Sequence, residues 1–337
     1  MKNKILSICI PTYNRAEFLC ETIESILNQI TPELADKIEI CISDNASTDN
    51  TFGIIQQYKN KNICDIVYNR NSENLGADSN FLKVIDIANG EYCWFLGSDD
   101  KIIEQGIDYI LFKVLSSKAD LYIFNRNEYS NDFNKFYRTS DWFYFGENEE
   151  VITFNKSQAY QYFKKCKTLG AVFSFISCLV FKKQKWDRIA NKNRFNGTLY
   201  SHTFVLFSML KSFDFTIHYL NKPLINCRLN NDEQTFTNVL GRYNRAKVDY
   251  YYILIAMDVF GIDSYEVKEL KRILKNERSI KNLLAVKSLS NKEDIKRLHN
   301  LLYNFGFYKE YIILKIFPEN VVKNIRILYK TIKGLIK

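Results

Sequence analysis

The chain has 337 residues, 46% of them hydrophobic and 25% charged, which is the balance of a globular fold and excludes a disordered chain. Its 12 Gly and 4 Pro leave no material for long linkers between independent domains, so one large α/β domain with at most a smaller appendage is expected. The net charge of +9 suits nucleic acid, an anionic membrane surface or a diphosphate-bearing small molecule, and its placement along the chain has to choose among them.

The N-terminal third alternates strand and helix. Residues 5–10 (ILSICI) are a short apolar run ended by Pro11, as in a buried parallel strand. Residues 16–29 carry Phe18, Leu19, Ile23, Ile26 and Leu27 at helical spacing. Residues 38–43 (IEICIS) read as a second strand, followed by the polar turn Asp44-Asn45-Ala46-Ser47-Thr48-Asp49 and a helix over 51–58. A third strand is expected over 65–69, a helix over 80–88 and a fourth strand over 92–96. This order predicts a mostly parallel sheet with helices on both faces.

Ligands of such sheets bind beyond the carboxyl ends of the strands. Polar residues collect there in three clusters: Pro11-Thr12-Tyr13-Asn14-Arg15, Asp44-Asn45 and Gly97-Ser98-Asp99-Asp100. Each alone is ordinary turn chemistry; three at successive strand ends point to one site. Neither GxGxxG nor GxxxxGK[ST] occurs, which argues against dinucleotide and P-loop folds.

Further along, residues 170–181 read as a strand with a polar opening, and 182–189 as a helix. Residues 215–220 and 224–228 look like two strands returning to the sheet, with Arg228 beyond the last one as either a diphosphate contact or a salt-bridge residue. From about Arg242 onward the pattern is helical. In the last segment Val321, Val322, Ile325, Leu328, Tyr329, Ile332, Leu335 and Ile336 fall on one face, with Lys323, Arg326, Lys330, Lys333 and Lys337 on a neighbouring one. An apolar stripe beside a basic one suits a helix lying in an anionic membrane surface; packing on its own domain or in a homodimer is the alternative.

The eight cysteines form no CxxC pair and the three histidines are too few for a zinc cluster, so reduced, buried thiols in the cytoplasm are expected. The N-terminus runs into a strand with no signal-peptide core, and no stretch of 18 uncharged apolar residues occurs.

Four blocks, SICIPTYNRAEFL, EICISDNASTDNT, NSENLGADSNF and NGEYCWFLGSDDKI, resemble in order and spacing the family-2 glycosyltransferases of the GT-A fold, over roughly residues 5–105. A weaker similarity, to the abequosyltransferase-like branch of bacterial surface-glycan enzymes, continues to about residue 235. The resemblance implies a GT-A domain over 1–240, with 1–105 binding the nucleotide sugar and 106–240 the acceptor, and a basic helical region over 241–337.

It further implies that Pro11, Thr12 and Tyr13 line the nucleotide pocket and that Asp44 accepts a hydrogen bond from the base, the other reading of Asp44 being a helix N-cap. Asn74 and Gly76 would pack beside the nucleoside. Ser98 joins the donor-binding loop, and Arg15 either touches a phosphate or is an exposed helix-start residue. The family commonly has D-x-D-D after the fourth strand; here Gly97 replaces the first Asp. Asp99 therefore falls on the position of the ligand to Mn²⁺ or Mg²⁺, with Asp100 in support. Such an ion neutralises the charge on a departing nucleoside diphosphate.

Family-2 enzymes generally invert the anomeric carbon, which requires a base on the acceptor side, usually an Asp within an E-D pair at a helix start. The corresponding stretch, 196–204, holds no carboxylate. His202 is its titratable residue and is either the base or a packed histidine; Tyr200 and Ser201 would shape the acceptor site.

The expected activity is transfer from a nucleotide sugar, a UDP-sugar first, to a glycan or polyprenyl-diphosphate-linked glycan in bacterial surface-polysaccharide synthesis. It would take place at the inner face of the cell membrane, which the segment 321–337 would contact. The competing reading is a degenerate GT-A domain that binds nucleotide or glycan without turnover. A nucleic-acid partner is not expected, because no aromatic-basic platform accompanies the charge.

Overall fold

The computed structural model describes residues 4–146, 148–229, 237–318 and 321. The chain divides into two units, Met1–Leu229 and Asn230–Lys337.

The first unit opens with β1 (Leu6–Thr12), α1 (Ala16–Leu27), α2 (Pro32–Ala35), β2 (Ile38–Asp44), α3 (Thr51–Asn60), β3 (Asp65–Arg70), α4 (Ala77–Asp86) and β4 (Tyr92–Phe95). It continues with β5 (Lys101–Ile102), α5 (Gly106–Ser116), β6 (Leu121–Tyr129), β7 (Phe136–Thr139), β8 (Glu150–Phe154) and α6 (Tyr160–Phe163). The last elements of this unit are β9 (Leu179–Lys182), α7 (Lys183–Asp187), α8 (Ser201–Ser212) and β10 (Phe215–Arg228). The strands make one sheet in the order β3-β2-β1-β4-β9-β6-β10-β5, with β7 pairing β6 and β8 pairing β10.

Pairing is parallel across β3-β2-β1-β4. Every residue of β1 and β2 is buried, as expected where helices cover both faces. Beyond β4 the sheet is mixed: β9 runs antiparallel to both β4 and β6, and β6 pairs parallel with β10. In register, Thr12 lies opposite Asp44 and Asp44 opposite Arg70, so the carboxyl ends of the first three strands finish level. The backbone continues that edge at β4, where the Leu96 N–H donates to the Cys9 carbonyl at 2.9 Å.

Two expectations change. The run 170–181 is a strand only from Leu179; before it the chain turns, with Phe173 at φ 77 and a short 3₁₀ turn at Ile176–Cys178. Its apolar residues are buried as turn rather than as ladder. The two strands expected over 215–228 are one strand, β10, whose register with β6 shifts between Leu220 and Ile225. Pro223 lies in that gap and has no N–H to give a ladder, so a bulge absorbs it.

The second unit is helical: α9 (Thr237–Phe260), α10 (Tyr265–Glu277), α11 (Ile280–Leu289), α12 (Lys292–Asn304) and α13 (Tyr308–Ile316). Ser264, Ser279 and Asn291 cap α10, α11 and α12 by accepting a backbone N–H three residues on. Its core includes Leu270, Leu274, Leu283, Leu298, Leu302 and Leu314. Among the described residues no helix is long and apolar enough to cross a membrane. The striped segment expected over 321–337 lies outside the described residues except for Val321.

Candidate active site

The carboxyl-end edge of β1, β2 and β3 is held together by carboxamides. Asn45 donates through Nδ2 to Asn74 Oδ1 at 2.7 Å and to the Gly76 carbonyl at 3.3 Å. Its Oδ1 accepts from Asn71 Nδ2 at 3.0 Å and from the Leu75 N–H at 2.9 Å. Asn80, on α4, donates to the carbonyls of Thr12 and Ser43 and accepts from the Ser43 hydroxyl and from Asn71. A buried amide carries donors and an acceptor at once, so Asn at these places can satisfy strand ends that no ladder reaches. Gly76 stands at φ 82, a conformation that a side chain strains, and begins α4 there.

A second seam joins the turns after β1 and β2. Asn14 receives the Thr48 N–H on Oδ1 at 2.7 Å, and the Asn14 N–H donates to Ser47 Oγ at 2.9 Å. The Ala16 N–H donates to Asp49 at 2.9 Å, so the acid of the second turn caps the start of α1. Thr12 is buried, and its hydroxyl has no hydrogen-bond partner among the described residues. Pro11 is buried beside it, while Tyr13 is 42% exposed and lies open at the edge.

Asp44 is wholly buried. One carboxylate oxygen accepts the Ser47 N–H at 2.8 Å and the other the Tyr68 hydroxyl at 2.8 Å, with the Arg70 guanidinium 3.7 Å away. Tyr68 keeps its proton, because burial and the Asp44 carboxylate both push its pKa up.

At the end of β4, Asp99 forms an ion pair with Arg15 through its carboxylate, and its carbonyl accepts from Arg228. Asp100 turns inward. Its carboxylate accepts the Ser177 hydroxyl at 2.5 Å, and Ser177 in turn accepts the Gly97 N–H at 2.8 Å. Burial and the adjacent Asp99 charge push the Asp100 pKa up to about 8. A Cβ on Gly97 would lie 2.8 Å from the Asp100 carboxylate, 3.2 Å from the Asp99 carboxylate and 3.3 Å from the Ser177 hydroxyl, so a side chain there would require these side chains to shift. Ser98 is buried in the same turn.

Among the described residues no group of three His, Cys, Asp or Glu could hold a metal ion by itself. A Mg²⁺-type site is commonly completed by substrate phosphates around one or two carboxylates. The partly exposed Asp99 carboxylate, 19% accessible and already balancing a cation, meets that requirement.

Arg228, His202, Tyr200 and Ser201, all expected at the site, are buried in the structure. Arg228 is not open to a diphosphate: its guanidinium is buried, bonded to the Asn131 carbonyl, the Asp99 carbonyl and the Glu21 carboxylate, between the Phe18 and Phe133 rings. It braces the Asp99 turn instead. His202 is 1% exposed, against Phe81, Phe95 and Tyr200, with Nε2 hydrogen-bonded to the Phe173 carbonyl at 2.9 Å. Burial lowers its pKa, so it is neutral, but its position is that of a packed histidine. Tyr200 and Ser201 are also buried, and their side chains do not line an open acceptor surface.

The family model for glycosyl transferase family 2 matches residues 7–184, just over half of the chain. Abequosyltransferase RfbV of Salmonella typhimurium is 35% identical over 99% of this chain and all of the relative. The chain belongs to glycosyltransferase family 2. It is a glycosyltransferase, and its first unit carries the family's α/β fold. A poly(ribitol-phosphate) beta-glucosyltransferase of Bacillus spizizenii is 40% identical over 29% of this chain and 15% of its own length. Among solved structures, S. aureus TarS 1-349 in complex with UDP-GlcNAc superposes with a TM-score of 0.64 at 16% identity, covering 89% of this chain and 80% of TarS 1-349. The Pyrobaculum calidifontis mannosyltransferase PcManGT, in complex with GDP-Man and Mn²⁺, gives 0.53 at 14% identity, covering 94% and 83%. At these identities both structures bear on the fold alone.

Sequence reasoning overlooked Asn71, Asn80, Tyr68 and Asp78. For Asn71 and Asn80 the available signal was the recurrence of Asn after β3, which reads equally well as compositional bias.

Proposed function

We propose that this family-2 glycosyltransferase inverts the anomeric carbon of a nucleotide sugar, a UDP-sugar first, and delivers the sugar to a glycan or polyprenyl-diphosphate-linked glycan of a bacterial surface polysaccharide. The observation that carries the reading is the convergence of Thr12, Tyr13, Asn45, Asn74, Gly76 and Asp99 at one edge of the sheet. The nucleoside lies along Pro11–Tyr13 and the Asn74–Gly76 loop, with Asp44 beneath the base. Arg15 and Asp99 face the diphosphate. Asp99 would hold a divalent cation, Mn²⁺ or Mg²⁺, which neutralises charge on the leaving nucleoside diphosphate when bound. Arg15, released from Asp99, is then free to contact a phosphate oxygen.

Residues 1–105 handle the donor and 106–240 the acceptor, with 241–337 a basic helical region. Supporting a membrane-bound acceptor is the charge pattern of 321–337, five basic residues beside an apolar stripe, which suits the anionic cytoplasmic face of the cell membrane. RfbV, over its full length, is named for transfer of abequose, which favours a surface-glycan role here.

The test is a thermal-shift panel of UDP, GDP, CDP and dTDP with and without Mn²⁺. One nucleotide should raise Tm, more so with Mn²⁺. No shift with any of the four would refute the donor site.

A further inference from the structure

Asp78, the second residue of α4, is a buried carboxylate whose backbone partners lie 119 to 123 residues later in the chain. Its Oδ2 accepts the N–H of Gly197 and that of Leu199, each at 2.8 Å, and its Oδ1 accepts the N–H of Ser201 at 2.9 Å. Two side-chain bonds flank them: Asn196 Nδ2 donates to Ser79 Oγ at 2.8 Å, and the Ser201 hydroxyl donates to Asn196 Oδ1 at 2.9 Å.

The loop so held is the one that corresponds to the family's acceptor-side helix start. It needs holding, for two reasons. Gly197 and Leu199 stand at φ 89 and φ 67, and a leucine keeps such a conformation only where its surroundings over-determine it. The start of α8 also presents N–H groups that have no partner within the helix. The loop contributes no carboxylate of its own; α4 supplies one from the other half of the domain.

An acid in the first turn of α4 would favour that helix by its charge wherever it pointed. Helix stabilisation does not require three bonds to a distant loop. The same turn begins at Gly76, whose carbonyl and neighbours Asn74 and Leu75 are tied to Asn45. Asp78 thus stands between the donor-side loop and the acceptor-side loop, two residues from one and bonded to the other.

We propose that Asp78 is the positioning residue that fixes loop 196–201 to α4, so that ordering of the Asn74–Gly76 loop by a bound nucleotide is passed to the acceptor side. The inference rests on the donor and acceptor assignment given above. Asp78 itself takes no part in proton transfer.

The test uses the full chain and the diphosphate, among UDP, GDP, CDP and dTDP with Mn²⁺, that raises Tm most. Amide hydrogen exchange of residues 196–201 is measured with and without it, in wild type and Asp78→Asn. In wild type the nucleotide should slow exchange of these amides about tenfold. In Asp78→Asn their exchange should be faster at the start and indifferent to nucleotide, while the nucleotide still raises Tm. Nucleotide-dependent slowing that persists in Asp78→Asn would overturn the proposal, as would a wild-type Tm rise without any slowing. A wild type that none of the four nucleotides stabilises removes the donor assignment and the proposal with it. Should Asp78→Asn not fold, Asp78→Ser, whose shorter side chain has a single oxygen and cannot hold the three N–H groups, takes its place under the same criteria.

Discussion

The sheet edge proposed for the donor and the loop proposed for the acceptor solve the same problem, polar backbone without a ladder, in opposite ways. At the donor edge, side chains close to the strand ends in sequence and space bond one another: Asn45, Asn71, Asn74 and Asn80 form a local carboxamide network. At the acceptor loop the side chains of Tyr200, Ser201 and His202 are withdrawn into the interior, and the backbone is satisfied by an acid from a distant helix. A polar residue at these strand ends is bonded to polar neighbours of the same edge, whereas a polar residue of loop 196–202 is first a packing element.

The largest expected effect is on the donor side. Asp99→Asn keeps the shape of the side chain and removes its charge, and should lower transfer about 100-fold, read as nucleoside diphosphate released in the presence of Mn²⁺. Asp99 and Arg15 are both partly exposed, so folding stability should change by no more than about 1 kcal/mol. Transfer at the wild-type rate would break the comparison at its root.

Next is Asn45→Ala. It strips partners from Asn71, Asn74 and the Leu75 N–H, and buried groups left unmatched cost about 1–3 kcal/mol. The urea midpoint should fall with an unchanged slope, and the nucleotide-dependent rise in Tm should shrink. A variant as stable as wild type would show that the network contributes little.

The smallest effect sharpens the acceptor side. Burial holds the His202 pKa below its ordinary range in the folded chain, so the unfolded chain takes the proton first as pH falls. Stability owed to neutral His202 is thus complete above about pH 6.5 and lost below it, by about 1.4 kcal/mol per pH unit at most. His218 and His299 shift in the same direction, so the reading is the difference between His202→Gln and wild type in denaturation at pH 7.5 and 5.5. His202→Gln should lose less stability than wild type on acidification, with its turnover near wild type once folded. A large loss of turnover would restore His202 as the base.

The fold of the donor half was legible because its elements are periodic and short-range. Ile8, Cys9 and Ile10 are as continuous in sequence as they are buried in β1, and Pro11 marks the approach of its end. Residues 170–178 were not, since apolar runs in a strand and in a buried turn look alike; only the packing around Phe173, at φ 77, separates them. Asp44 and Asp99 stood out as acids after strands. Asp78 did not, because an acid in a helix's first turn has an ordinary explanation and its loop partners are remote. Arg228, expected beyond the last strand, is instead the final residue of β10, and sequence carries no sign of the pocket formed by Glu21, Asn131 and Phe133 that takes its guanidinium.

The inward turn of Asp100 behind Gly97 bears on how fast an anion can arrive. A diphosphate drifting toward this edge meets the field of the side chains that project from the turn, and each exposed acid slows its approach, most at low ionic strength. Of the two adjacent carboxylates only that of Asp99 faces outward, and it is paired with Arg15. A second outward carboxylate would grip a cation more firmly before the donor came, and would also repel the donor until that cation was in place. In the protein as it stands the outward charge is already paired with Arg15, so the rate of diphosphate capture should depend only weakly on salt.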